Sequence, residues 1–255
     1  NKFSMQNFNF DVVSTDWGSV VDADTFITFL QGLNGEEDNI VEDFNLSNGR
    51  LTCNMSSIVT LDLTNTNITE IYTISASSIL SIILDTNQIA VFNPSSNLPL
   101  LLEYLSLGDN EIVSFNPTIP LPPTLTSLFL NANQIVTFNP TIALPSSLTT
   151  LSLESNQIVT FNPTIALPSS LINLRLNYNQ IVTFNPTIAL PNSLTVLLLG
   201  SNLMTSIGYL NSVPWATNIH ASPVGGTIDF IGNSDSASGT SLEALLLSKG
   251  WAVNT

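Results

Sequence analysis

L-P-S-S-L-T-T-L-S-L-E-S-N-Q-I-V-T-F-N-P-T-I-A, residues 144–166, runs directly into L-P-S-S-L-I-N-L-R-L-N-Y-N-Q-I-V-T-F-N-P-T-I-A, residues 167–189. The step is 23 residues, and it holds outward from this pair: Asn87, Asn110, Asn133, Asn156, Asn179 and Asn202 recur at that spacing. Residues 157–171 and 180–194 are almost copies of each other. A fixed period in the twenties means a solenoid, in which each unit buries its apolar side only against its neighbours.

Within a unit, apolar residues fall at positions 1, 4 and 6 and Asn at position 9. Position 1 is Ile58, Ile79, Leu102, Leu125, Leu148, Leu171 and Leu194, and a degenerate earlier unit fits Val41, Phe44, Leu46 and Leu51. Side chains alternate along a strand, so positions 4 and 6 point inward and 3, 5 and 7 outward. Stacked units then pair these strands into a parallel sheet with a spacing of ~4.8 Å. The position-9 amide must be paired once buried, and the backbone of the neighbouring turn can do this, which gives an Asn ladder. Thr66 replaces Asn in the second unit. The other half of each unit carries Phe92, Phe115, Phe138, Phe161 and Phe184, with Ile71 and Ile207 flanking, and reads as a buried spine of rings. The Asn-Pro pair after each Phe prevents a long helix and leaves an extended path.

The chain has 255 residues, 44% hydrophobic and 9% charged, with 19 acidic residues against Lys2, Arg50, Arg175 and Lys249. That is ample for a buried core. A net charge of −15 argues against nucleic acid, whose binding needs clustered Lys and Arg, and against anionic lipid. No apolar run reaches the ~18–20 residues of a membrane span, so no membrane insertion is expected. With Cys53 alone, no intramolecular disulfide can form.

Solenoid ends need caps. Residues 24–33 place Phe26, Phe29, Leu30 and Leu33 at helical spacing, with Asp24 as N-cap. Residues 208–239 read as irregular, with a strand at 227–231. Thr240 and Glu243 form a capping box before Leu242, Leu245 and Leu246, Gly250 ends that helix, and residues 251–253 read as a final strand. The organisation is a cap over 1–40, a repeat array over 41–207 and a second cap over 208–255.

No catalytic constellation stands out. His220 has no partner motif and reads as structural or surface, Cys53 as packed, and no phosphate-cradling or zinc motif occurs. The acidic run Glu36, Glu37, Asp38, Glu42 and Asp43 lacks the ligand spacing of a Ca²⁺ loop and reads as a solvated face. No cofactor or metal is expected. The sheet face is the candidate site. Against a background of small polar residues, Tyr104 and Phe129, Arg175 and Tyr178 have the chemistry of interface anchors, with Asp85, Asp109 and Glu154 beside them.

The phrases at 121–135 and 144–158 closely resemble the leucine-rich repeat family, and the pattern L-P-x-x-L-x-x-L-x-L-x-x-N resembles its bacterial subtype of secreted effectors and surface proteins. The resemblance spans about residues 41–207. It implies an α/β solenoid, a horseshoe with its parallel sheet on the concave face, an extended or 3-10 convex side and helical caps. The chain departs from that subtype in its longer period and its Phe-Asn-Pro segment, and it shows no appended domain with a catalytic Cys. The expected function is a non-enzymatic recognition module, extracellular, on a cell surface or on a virion, that binds a protein or glycan in adhesion or host recognition. The alternative is a structural or decoration subunit of a larger surface or viral assembly.

Overall fold

A strand with Leu or Ile at positions 4 and 6 can bury only one face, and repetition brings those faces together. The computed structural model describes residues 7–14, 41–47, 50–56, 59–65, 68–75, 79–93, 98–221 and 226–255. Its strands are β1 (Asn7–Ser14), β2 (Val41–Ser47), β3 (Arg50–Ser56), β4 (Thr60–Asp62), β5 (Ile68–Ser75), β6 (Ser81–Ile83), β7 (Tyr104–Ser106), β8 (Ser127–Phe129), β9 (Thr150–Ser152), β10 (Asn173–Arg175), β11 (Val196–Leu198), β12 (Thr227–Asp229) and β13 (Ala252–Asn254). Helix α1 spans Ser206–Asn218 and helix α2 spans Ser241–Ser248.

Nine of the strands form one parallel sheet in the order β4-β6-β7-β8-β9-β10-β11-β12-β13. The register steps by one repeat, from Tyr104 to Ser127, Thr150, Asn173, Val196 and Thr227. Positions 4 and 6 are fully buried throughout, as in Leu128 and Leu130 or Leu174 and Leu176. From residue 79 to residue 193, the described residues of each returning half are extended and turned, without helix. The molecule is therefore an α/β solenoid of leucine-rich-repeat type.

Three ladders tie the units together. In the first, Asn156 donates through Nδ2 to the carbonyls of Leu130, Leu153 and Glu154, and its Oδ1 accepts from the Ile135 amide at 2.9 Å. Asn110, Asn133, Asn179 and Asn202 make the same set one unit along. In the second, the Phe rings from Phe92 to Phe184 stack at 6.0–6.4 Å and within 17° of parallel. The third uses the Asn of each Asn-Pro pair, a pair whose Pro by itself accounts only for the extended chain. Asn139 Oδ1 accepts both the amide and the hydroxyl of Thr164 at 2.9 Å, and Asn93, Asn116 and Asn162 do the same with Thr118, Thr141 and Thr187.

Four expectations change. Residues 41–51 do not form a repeat unit: β2 and β3 are an antiparallel hairpin in a separate sheet ordered β2-β3-β1-β5. The Leu spacing there fits a repeat, but each strand meets its neighbour head to tail and so satisfies its edges without joining the array. Ile207 is 71% exposed, so it does not continue the Phe spine. Trp215 does, standing edge-on to Phe184 at 4.8 Å and 86°. It is carried there by α1, in a stretch expected to be irregular. Gly208 permits this docking, because a Cβ at that position would lie 2.1 Å from the Val182 carbonyl oxygen. Finally, the array does not stop near residue 207. Asn233 acts as a further position-9 Asn, donating to the Leu199 and Phe230 carbonyls and accepting from the Asn202 amide, with Gly232 in the preceding left-handed position.

The C-terminal expectations of helix and strand hold. Thr240 Oγ accepts from the Glu243 amide, while Glu243 accepts from the Gly239 amide. Lys249 donates to the carbonyls of Thr217 and Ile219, which closes the C-terminal end of α1. His220 Nε2 lies 3.2 Å from the Leu194 carbonyl and its ring meets Trp251 edge-on, a structural role. Cys53 lies in β3, paired in register with Phe10 and Phe44. The expected helix at 24–33, Thr66 and residues 36–38 lie outside the described residues. Among the described residues, no helix is long and apolar enough to cross a membrane.

Candidate functional site

The parallel register assembles the outward residues into columns. Position 3 runs Ser81, Tyr104, Ser127, Thr150, Asn173, Val196, Thr227, and position 5 runs Ile83, Ser106, Phe129, Ser152, Arg175, Leu198, Asp229. From Ile83 to Arg175, position 5 alternates large and small. Ser106 and Ser152 are buried at 3% and 2% exposure, so each forms the floor of a notch between bulkier neighbours. One notch has the Phe129 ring on one side and Arg175 on the other, two strand spacings apart, ~9.6 Å.

Tyr104 and Phe129 come together on adjacent strands, with ring centroids 5.2 Å apart and planes tilted by 37°. Both are half-buried and form one aromatic platform. Arg175 lies on β10 between Asn173 and Asn177 of its own unit. The Arg175 Nε, Asn173 Oδ1 and Asn177 Oδ1 atoms are all buried and none has a hydrogen-bond partner. Buried polar atoms are almost always paired, and each one left unpaired costs about 1–3 kcal/mol. Three in a single unit mark a place that favours added hydrogen-bonding groups. Glu154 follows β9, one unit away, half-buried. From residue 112 to residue 228, Glu154 and Arg175 are the sole Asp, Glu, Lys or Arg residues. Both stand at outward sheet positions, so the rest of this long stretch is electrically bare.

The other expected site residues fare differently. Asp85 is already engaged: its Oδ1 accepts from the Ser106 hydroxyl at 2.5 Å and the Gly108 amide at 2.7 Å. Gly108 makes room for that, since a Cβ there would approach Asp85 Oδ1 to 3.2 Å and Asn131 Nδ2 to 2.8 Å. Asp85 thus ties two units together and is no free anchor. Asp109 and Tyr178 lie in the turn after the strand, not on the sheet. They belong to a series of seven non-glycine residues with φ between 51° and 56°, from Asn65 to Ser201. Tyr178 is 58% exposed there and Asp109 is also exposed, so they border the sheet face. Sequence reasoning missed Asp229 as a member of the position-5 column. Its signal was the I-D-F-I-G-N run ending at Asn233, hidden because α1 lengthens the step from Asn202.

Among the described residues, no group of three His, Cys, Asp or Glu is placed to hold a metal ion. The arrangement offers hydrogen-bond donors and acceptors, one cation and an aromatic platform on a rigid support, which is equipment for binding. No protein-family model matches this chain, and no curated protein matches it in sequence.

Proposed function

We propose that the chain is a leucine-rich-repeat recognition module, non-enzymatic and displayed on a cell surface or virion, that binds a protein or glycan ligand on its sheet face between Tyr104 and Arg175. The supporting observation is the cluster of three buried, unpartnered polar atoms on Asn173, Arg175 and Asn177. A ligand rich in hydroxyl or amide groups would meet those atoms after small side-chain rotations while its apolar face rests on Phe129 and Tyr104. The sheet is fixed by the ladders beneath it, so binding orders little of the protein.

The test compares the native chain with the triple variant Tyr104→Ala, Phe129→Ala, Arg175→Ala on intact bacterial cells and on a glycan array. Binding by the native chain and loss in a folded variant is the expected result. Equal binding by both removes the sheet face from the reading.

One observation favours a second reading, an assembly subunit. Val113, Val136, Val159 and Val182 are 53%, 44%, 45% and 45% exposed and follow the repeat along the uncharged flank. Such a stripe suits contact with a larger body. Sedimentation that shows self-association, abolished by Val136→Glu and Val159→Glu, would favour this reading.

A further inference from the structure

The third ladder ends abruptly. Asn93, Asn116, Asn139 and Asn162 each accept an amide and a hydroxyl from a Thr 25 residues ahead, the hydroxyls at 2.7–2.9 Å. Asn185 has the same local sequence, F-N-P-T-I-A-L-P, but the residue 25 positions on is Leu210, inside α1. Asn185 is exposed and receives no such pair of donors. Helix α1 covers Phe184 but does not fill the space where the next unit's extended segment would lie. A groove of about 430 Å³ remains, lined by Asn185, Ile188 and Leu190 on one side and Pro214, Trp215 and Ile219 on the other. That volume falls within the ~300–1,000 Å³ of ligand pockets.

The geometry points to this groove as a binding site for an extended, uncharged segment of a partner protein carrying Thr or Ser, seated where the next repeat would be. The repeats themselves state the chemistry: four times over, this surface is covered by an extended X-Pro-Thr-Ile segment whose Thr donates twice to the Asn. The walls offer Leu190, Trp215 and Ile219, each under 8% exposed, as a floor for an apolar side chain. No Asp, Glu, Lys or Arg occurs from residue 176 to residue 228. Lys249, beside Ile219, is committed to the Thr217 and Ile219 carbonyls, and no acidic side chain lines the groove, so a segment bearing Lys or Arg would lose its hydration there without gaining a counter-charge. One wall is already fixed, because Thr187 within the loop is held by Asn162 at 2.8 Å. None of the lining residues belongs to the parallel sheet, so this site stands apart from the proposed sheet-face site.

The probe is the fluorescein-labelled octapeptide F-N-P-T-I-A-L-P, capped at both ends and titrated by anisotropy with the full chain. Saturable binding is expected, about tenfold weaker when Val replaces the peptide Thr. In Asn185→Ala the two peptides should bind alike, at the level of the Val peptide. Ala189→Trp, which fills the groove from an exposed position, should abolish binding with the circular dichroism unchanged. The proposal is overturned if no saturation occurs, if the native chain does not distinguish the two peptides, or if Ala189→Trp still binds. A native chain that dimerises, with the dimer lost in Ala189→Trp, overturns it in favour of a second copy as the occupant.

Discussion

Between Leu125 and Leu199 the ladder contacts across each unit boundary are copies of those before them, whereas from Ser206 onward most of the side-chain contacts that close the array occur once. In the middle, the same Asn, Phe and Asn-Pro-Thr positions satisfy the same backbone groups unit after unit. At the end, Trp215 on Phe184, Gly208 under Val182 and Lys249 on Ile219 have no counterparts among the described residues. Repetition solves the problem of satisfying a buried backbone once and reuses the answer. Closing the array takes individual solutions, each exposed to a single substitution.

That contrast can be broken from the middle first. Asn156→Ala would leave the buried Ile135 amide without its acceptor and take one of two donors from each of the Leu130, Leu153 and Glu154 carbonyls, and should destabilise the fold by about 2–4 kcal/mol. Chemical denaturation reads this, and an unchanged midpoint would sink the ladder account. Gly208→Ala acts on the end. Its methyl would collide with the Val182 carbonyl, so α1 must shift, at a cost of about 1–3 kcal/mol. Near-ultraviolet circular dichroism of the Trp215 environment should change with it while the far-ultraviolet spectrum of the array persists. Lys249→Met removes the donor to the Thr217 and Ile219 carbonyls and should cost about 1 kcal/mol, seen as earlier melting of the C-terminal end in hydrogen exchange.

The smallest effect is set by pH. Burial, and next to it the charge of Asp235, push the Tyr209 hydroxyl from 10.0 up to about 12. The unfolded chain therefore gives up this proton first. The contribution is fully present below pH 10 and is lost as pH rises from there toward about 12. Denaturation midpoints across that window should fall less in Tyr209→Phe than in the native chain. Asp235 itself is held below the usual carboxylate range by the Ser206 amide and hydroxyl. That stabilisation is fully present above pH 3.8 and is lost as pH falls from there.

What could be read from the sequence follows the same division. The Asn at position 9, the Phe spine and the alternation along each strand were legible because periodicity reports burial directly. The Asn-Thr ladder was periodic too, but its chemistry was masked by the adjacent Pro, which explains the extended chain without it. Helix α1 was not legible. Its sequence holds Gly208 and an internal Pro214, and its docking depends on Phe184, far away in the chain. The Val41–Ser47 hairpin strand looked like a repeat because Leu spacing does not encode strand direction. On the sheet face, Tyr104, Phe129 and Arg175 stand out in the sequence as large side chains among small polar ones. The engagement of Asp85 could not be foreseen, since it needs Ser106 and Gly108 from the next unit at the right distance.

The ladders also bear on how fast such a chain can fold. From Ile89 to Asn202 their cross-unit hydrogen bonds join residues 21, 25 or 26 positions apart, and only at Asn233, past the inserted helix, do they reach 31 and 34. Each added unit therefore closes a loop of the same modest length, and the entropy of closure does not grow with the number of repeats. Ordering can begin at any adjacent pair and run outward like a zipper. A molecule with an extended parallel sheet, an architecture ordinarily slow to assemble, thereby keeps the short contact range of a helical bundle.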